Sequence, residues 1–220
     1  MDEMAIEVNG EHLMLDAAGA LWWPSESTLV FADLHFEKGS SYARSGQLLP
    51  PYDTRTTLNR IARLGARHCP SRIIALGDSF HDREAAERLD DHERGVLEAM
   101  AKAAEWIWIE GNHDPVPPGW LGGRVASEVA IGDLLFRHEP CTSHIKGEVA
   151  GHLHPCKSVT RRGHTLRRRC FASDGRRVVL PAFGAYAGGL DVEDLALRSL
   201  FPDAFRAYVL GAKRVYAVAA

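Results

Sequence analysis

Apolar residues fall in short blocks along the first half of the chain, and each block runs into a polar cluster. Residues 5–8 and 12–15 flank Asn9-Gly10, a favoured two-residue turn, so the spacing predicts an opening hairpin. Residues 28–31 form a β-rich run that stops at Asp33-Leu34-His35. Residues 72–76 read as a buried strand that stops at Gly77-Asp78, and residues 106–109 as another that stops at Gly111-Asn112-His113-Asp114. Residues 54–64 and 90–104 carry apolar positions at helical spacing. Strand, polar motif and helix thus alternate three times over. That pattern predicts a sheet with helices packed on it, and a site at the strand C-termini.

The second half changes character. Short strands are expected over residues 124–130, over 134–138 after Gly132-Asp133, over 148–150, and over 166–172 and 177–180 around Asp174-Gly175. A helix is expected over 191–201, then a hairpin of 207–210 and 214–217 across Gly211. No linker-like stretch divides the chain. The pattern predicts one α+β domain over residues 1–220, with two sheets face to face and helices outside.

Composition adds limits. Hydrophobic residues make up 45% and charged residues 25% of the 220, an ordinary globular balance. The net charge of -3 provides no global field for a polyanion, so such binding would need a local basic patch or a metal site. The first sixteen residues lack a basic and then apolar leader pattern, and no apolar run is long enough to span a bilayer. Cys69, Cys141, Cys156 and Cys170 are widely spaced, without a C-x-x-C pair. Reduced thiols and a cytoplasmic location are the expectation.

The polar clusters carry the chemistry. Asp33 and His35 are two apart, as are His152 and His154, so on extended backbone each pair would face one way. Asp78 follows a glycine after a buried strand, and Asn112 offers an amide oxygen at another strand end. Carboxylate, amide and imidazole donors without any cysteine favour manganese, iron or zinc in an oxygen/nitrogen shell. Two such ions about 3.5–4 Å apart can hold a bridging hydroxide and both sides of an in-line displacement. Each piece alone has a plain alternative: a turn, a self-bonded loop, or a satisfied histidine at 138. The ordered set is what points to a site.

The order Asp33-x-His35, Gly77-Asp78, Gly111-Asn112-His113-Asp114, His138, Gly151-His152-x-His154 resembles that of the calcineurin-like metallophosphoesterases. Asp33-Leu-His-Phe-Glu-Lys-Gly39, Gly77-Asp-Ser-Phe-His81, Gly151-His-Leu-His-Pro155 and residues 180–191 are similar to the bacterial ligase-associated DNA damage response endonucleases of the PdeM type. The resemblance implies a four-layer αββα sandwich and a dinuclear centre of the manganese type, with iron or zinc as alternatives. It implies a phosphodiesterase or nuclease acting on DNA in repair, beside a DNA ligase and a helicase. It places one ion on Asp33, His35, Asp78 and His154, and the other on Asp78, Asn112, His138 and His152. Asp78 would bridge them. A hydroxide between the metals would attack, and His113 would protonate the leaving oxygen. Asp114 is expected to orient His113. One departure stands out: many superfamily phosphatases have an Asp three residues after the Gly-Asp aspartate, where this chain has His81.

Candidate substrate contacts are less specific. Arg161, Arg162, Arg167, Arg168, Arg169, Arg176 and Arg177 crowd together after the last histidine motif. They read either as a phosphate-backbone contact or as a solvated hairpin face covering a sheet edge. Lys38, Tyr42 and Arg44 follow the first motif and either line the site or fill a loop. Trp106 and Trp108 alternate with isoleucines and are expected in the core. Two other functions compete: a small-nucleotide or phosphomonoester hydrolase of the same fold, and a scaffold that has kept the fold without catalysis.

Overall fold

The computed structural model describes residues 3–143, 145–161 and 163–220, with Arg161 described by its backbone alone. The first sheet contains β1 (Glu3–Val8), β2 (Glu11–Asp16), β3 (Leu21–Trp23), β4 (Thr28–Ala32), β5 (Arg72–Leu76), β6 (Glu105–Ile109) and β7 (Arg124–Ala126), side by side in that order. The opening hairpin forms as the pattern predicts. Val8 pairs with Glu11, and Asn9 and Gly10 both take positive φ, 51° and 86°. From β4 to β7 the strands are parallel, so all four end on one side.

The second sheet contains β8 (Glu128–Ile131), β9 (Leu134–Arg137), β10 (Glu148–Ala150), β11 (Cys156–Arg161), β12 (His164–Ser173), β13 (Arg177–Val179), β14 (Arg206–Leu210) and β15 (Val215–Ala219). Its order is β15-β14-β12-β13-β10-β9-β8, and β11 pairs with the outer half of β12. Beside the first sheet lie α1 (Lys38–Arg44), α2 (Asp53–His68), α3 (Ala85–Arg88) and α4 (Asp91–Ala103). Beside the second lies α5 (Leu195–Arg198).

Alternation along the strands builds three apolar layers. In β4, Val30 and Ala32 face the second sheet and join Phe136, Val149, Phe171 and Val178. Leu29 and Phe31 face the other way and meet Leu58, Ile61 and Leu64 of α2 and Leu97 of α4. Trp106 and Trp108 lie in this helix-side layer with ring centroids 4.5 Å apart, in the core as expected. On the far face of the second sheet, Cys170, Ala172, Ala207 and Val209 pack against Leu197, Leu200, Phe201 and Phe205. The result is α+β, with two mixed sheets between helical layers. A strand buried on both faces needs apolar residues at every position, which explains the unbroken runs of β4 and β5.

Four expectations need correction. Residues 124–130 are two strands in two sheets: Val125 pairs with Trp108 in the first, and Val129 with Phe136 in the second. Apolar alternation alone cannot say which sheet a strand joins. The helix expected over 191–201 shrinks to one turn. Residues 190–192 run extended beside Cys156, and Asp194 caps the helix by accepting from the Ala196 amide. The third strand-motif unit ends in a 3-10 turn, Gly119–Leu121, rather than a helix. Strand β11 is polar and exposed over much of its length, and its composition gave no strand signal.

Candidate metal centre

The candidate ligands sit on loops that leave the C-terminal ends of neighbouring strands. Asp33 follows β4, Asp78 follows β5 and Asn112 follows β6; His138 follows β9, and His152 and His154 follow β10. The two sheets thus present their strand ends to one place. The pairs Asp33/His35 and His152/His154 do not lie on extended backbone, contrary to expectation. Asp33, His35, Asp78, His152 and His154 all take positive φ, five of the nine non-glycine residues that do so among the described residues. Each such residue costs of order ~1–2 kcal/mol, a strain that clusters where a site over-determines the backbone. The loops turn at these five ligands rather than running straight. Gly77 is required by closeness as well as by its φ of 70°: a Cβ there would lie 2.4 Å from the His138 ring.

Two groups of donors converge. Asp33, His35 and His154 form one, and Asp78, His138 and His152 the other. In the first, His154 Nε2 lies 3.1 Å from Asp33 Oδ1, and the His35 and His154 rings meet edge to face with centroids 5.3 Å apart. His154 Nε2 and both nitrogens of His35 are buried without a hydrogen-bond partner among the described residues. Burial, with the nearby His154 next in effect, pushes the His35 imidazole down to about 2, so it is neutral at ordinary pH. Leaving such atoms unpaired is costly unless a ligand takes their lone pairs.

In the second group, His138 Nδ1 is 2.9 Å from the Leu76 carbonyl, which can only accept. Nδ1 therefore donates there, which leaves Nε2 as the ring atom turned toward the centre. That Nε2 lies 2.9 Å from Asn112 Oδ1, 3.1 Å from His152 Nδ1 and 3.5 Å from Asp78 Oδ1. Electron pairs facing one another at this range repel unless a proton or a cation sits between them. Burial also lowers the His152 pKa, with His138 next in effect, again favouring the neutral ligand form. The donor set fits two divalent ions.

His113 stands beside this centre. Its Nδ1 lies 2.8 Å from the His81 carbonyl, its backbone amide donates to Asp78 Oδ1 at 2.9 Å, and its Nε2 is 3.9 Å from Asp78 Oδ2. The ring thus rests on a backbone carbonyl, that of residue 81. Among the described residues Asp114 makes no hydrogen bond to the His113 ring. Its Oδ2 accepts from the Phe80 amide at 3.0 Å, tying the 111–114 loop to the 78–81 loop. Burial raises its pKa to about 7, with the neighbouring Asp78 adding to the rise. A cavity of about 380 Å³ opens next to Asp114, lined also by Phe80, Asp82, Arg83 and Pro115.

A model of the calcineurin-like phosphoesterase family matches residues 27–165. The chain belongs to that family. Among solved structures, the crystal structure of Pseudomonas putida nuclease MPE is similar at 31% identity and a TM-score of 0.78, covering 98% of this chain and 100% of that one. Yfce, a phosphoesterase from E. coli, is 14% identical with a TM-score of 0.42, covering 87% of this chain and 98% of that one. No curated protein matches. No helix among the described residues is long and apolar enough to cross a membrane.

The basic residues separate. Arg177 is buried and pairs with Glu148 at 3.1 Å while donating to the Cys141 and Ser143 carbonyls. Arg169 donates to the Ala182 carbonyl at 2.7 Å. Arg44 is exposed and ion-paired with Glu84. Arg167 donates to the Gly189 carbonyl. Arg168 lines an apolar groove with Val159, Leu166, Val209 and Tyr216, which holds none of the candidate ligands. Arg162 lies outside the described residues, as does the Arg161 side chain. His81, marked in the sequence as a departure but given no role there, stacks its ring on His113 at 5.3 Å and 21° and on Tyr42 at 5.8 Å. Its departure from the phosphatase pattern was the available signal.

Proposed function

We propose that this phosphoesterase is a dinuclear metal-dependent phosphodiesterase, a nuclease that cleaves DNA in repair. The observation that carries the reading is the convergence of two adjoining donor groups: unpartnered nitrogens of His35 and His154 beside Asp33, and His138, His152 and Asn112 atoms facing one another beside Asp78. Family membership and the nuclease relative support hydrolysis of a phosphodiester. Asp33, His35 and His154 would hold one ion, Asn112, His138 and His152 the other, and Asp78 would serve both. Such ions, with manganese first among candidates and iron or zinc as alternatives, supply Lewis acidity toward phosphoryl oxygens and a nucleophile from water at neutral pH.

The protein's own groups do the rest. The His81 carbonyl and the Asp78 carboxylate fix His113 so that Nε2 faces the centre and carries a proton to the leaving oxygen. The Asp114 clasp on Phe80 keeps the two loops in register, and so keeps His113 against its carbonyl. Action beside a DNA ligase and a helicase rests on the motif resemblance. The test is a substrate panel with manganese-loaded protein: a chromogenic diester, a monoester, and single- and double-stranded DNA. Cleavage of diester and DNA is expected. Monoester cleavage alone would turn the reading to a small-phosphate hydrolase, and no cleavage at all would turn it to a scaffold.

A further inference from the structure

We propose that Lys38 is a substrate-binding residue whose ammonium holds a non-bridging oxygen of the scissile phosphodiester, with Tyr42 and His81 forming the wall on which it rests. This rests on the hydrolase reading above and adds a residue that the ligand motifs do not contain.

The backbone around Lys38 is held on both sides. Glu37, buried with φ of 63°, donates its amide to Thr54 Oγ1 at 2.9 Å and accepts the Thr54 hydroxyl at 2.8 Å. The Gly39 amide donates to Asp53 Oδ2 at 2.9 Å, and a Cβ at 39 would lie 2.7 Å from Asp53 Oδ1. The N-terminus of α2 therefore clamps the residues before and after Lys38. Its own side chain is left half-buried, with no carboxylate oxygen within ion-pair distance among the described residues.

The side chain's surroundings locate it. Lys38 Nζ lies 5.9 Å from the Tyr42 ring centroid. Tyr42 stacks on His81, and His81 stacks on His113 and meets His35 edge-on at 5.4 Å. A continuous tier of rings thus runs from the candidate acid to the lysine. Burial lowers the Lys38 pKa, while Asp53, Asp33 and Asp78 act in the opposite sense, so the cation lies in the field of both candidate ligand carboxylates. A half-buried cation with no carboxylate in ion-pair contact among the described residues, fixed beside a phosphate-cleaving centre, is matched by an anionic oxygen. An imidazole rather than a carboxylate at position 81 also keeps a negative charge away from that oxygen.

The test uses full-length, manganese-loaded protein and the variants Lys38→Met, Lys38→Arg and Tyr42→Leu. Two readouts are taken: KM and kcat on bis(p-nitrophenyl) phosphate, and affinity for inorganic phosphate by calorimetry. Lys38→Met is expected to raise KM and weaken phosphate binding about ten- to a hundredfold, the equivalent of ~1.5–3 kcal/mol for a hydrogen bond to a charged group. Bound manganese and the melting midpoint should be unchanged. Lys38→Arg should recover most of the loss, and Tyr42→Leu should shift both readouts the same way by a smaller factor. Unchanged KM and phosphate affinity in Lys38→Met would overturn the proposal while leaving the hydrolase reading intact. A wild-type chain that binds phosphate through Lys38 but cleaves nothing would overturn the hydrolase reading instead.

Discussion

The ligand loops and the arginine-rich stretch after them both looked functional as sequence, yet the fold treats them oppositely. In the loops, His35 and His154 keep buried nitrogens without partners, and His138 turns a lone pair toward three other donors. In the arginine stretch, the least exposed cations find acceptors: buried Arg177 has Glu148 and two carbonyls, and half-buried Arg169 has the Ala182 carbonyl. The cations of the stretch are held by the protein's own acceptors, whereas the ligand loops turn lone pairs toward one another. Density of charge in the sequence does not separate the two cases.

The comparison can be broken most forcefully at the ligands. Asp78→Ala should reduce diester hydrolysis at least about a thousandfold, because several kcal/mol of charge stabilisation goes with the shared ligand. Steady-state rates with saturating manganese measure this, and near-normal activity would remove Asp78 from the centre. His113→Ala should retain metal yet lose about a hundredfold or more on DNA. The loss should be smaller on a nitrophenyl diester, whose leaving oxygen needs little protonation. An equal loss on both substrates would argue against an acid role.

On the other side of the comparison, Arg177→Met should act on stability. It strands Glu148, fully buried, with only Arg137 at 3.7 Å as a remaining cation among the described residues. The cost should be about 3 kcal/mol by denaturant titration, with rates per folded molecule preserved. Asp114 adds a pH signature. Its folded pKa lies above the unfolded value, so the folded state holds the extra proton and stability falls as pH rises from about 4 to 7. Asp114→Asn removes that penalty, so its stability relative to wild type should climb over this window by on the order of 3 kcal/mol in metal-free protein. A difference flat with pH would show that the carboxyl is not held protonated. The smallest effect belongs to Arg168→Ala, expected within about twofold on a small diester. A loss confined to DNA, with a salt slope shallower by about 1, would put the hairpin back on the substrate path.

Much of this was legible in the residues. Runs such as 72–76, apolar at nearly every position, specify strands buried on both faces, and the motifs that end them mark the strand ends where the ligands gather. The strand break at Ser127 was not legible, since Val125 and Val129 alternate alike whichever sheet they join. Nor was the helix around 195 limited to one turn by its own spacing; pairing of residues 190–192 with Cys156 did that. The positive φ at Asp33, His35 and both histidines of the last motif is invisible to a period-two argument. The partner of His113 is a backbone carbonyl, which no side-chain pattern announces.

The central claim is that two donor groups sharing Asp78 each take a divalent ion. Manganese titration of the chelator-stripped chain, followed by calorimetry and elemental analysis, tests it most directly. Two ions per chain for wild type, falling in Asp78→Ala while the fold persists, is the predicted result. A wild-type chain that takes up no divalent ion under these conditions would contradict it.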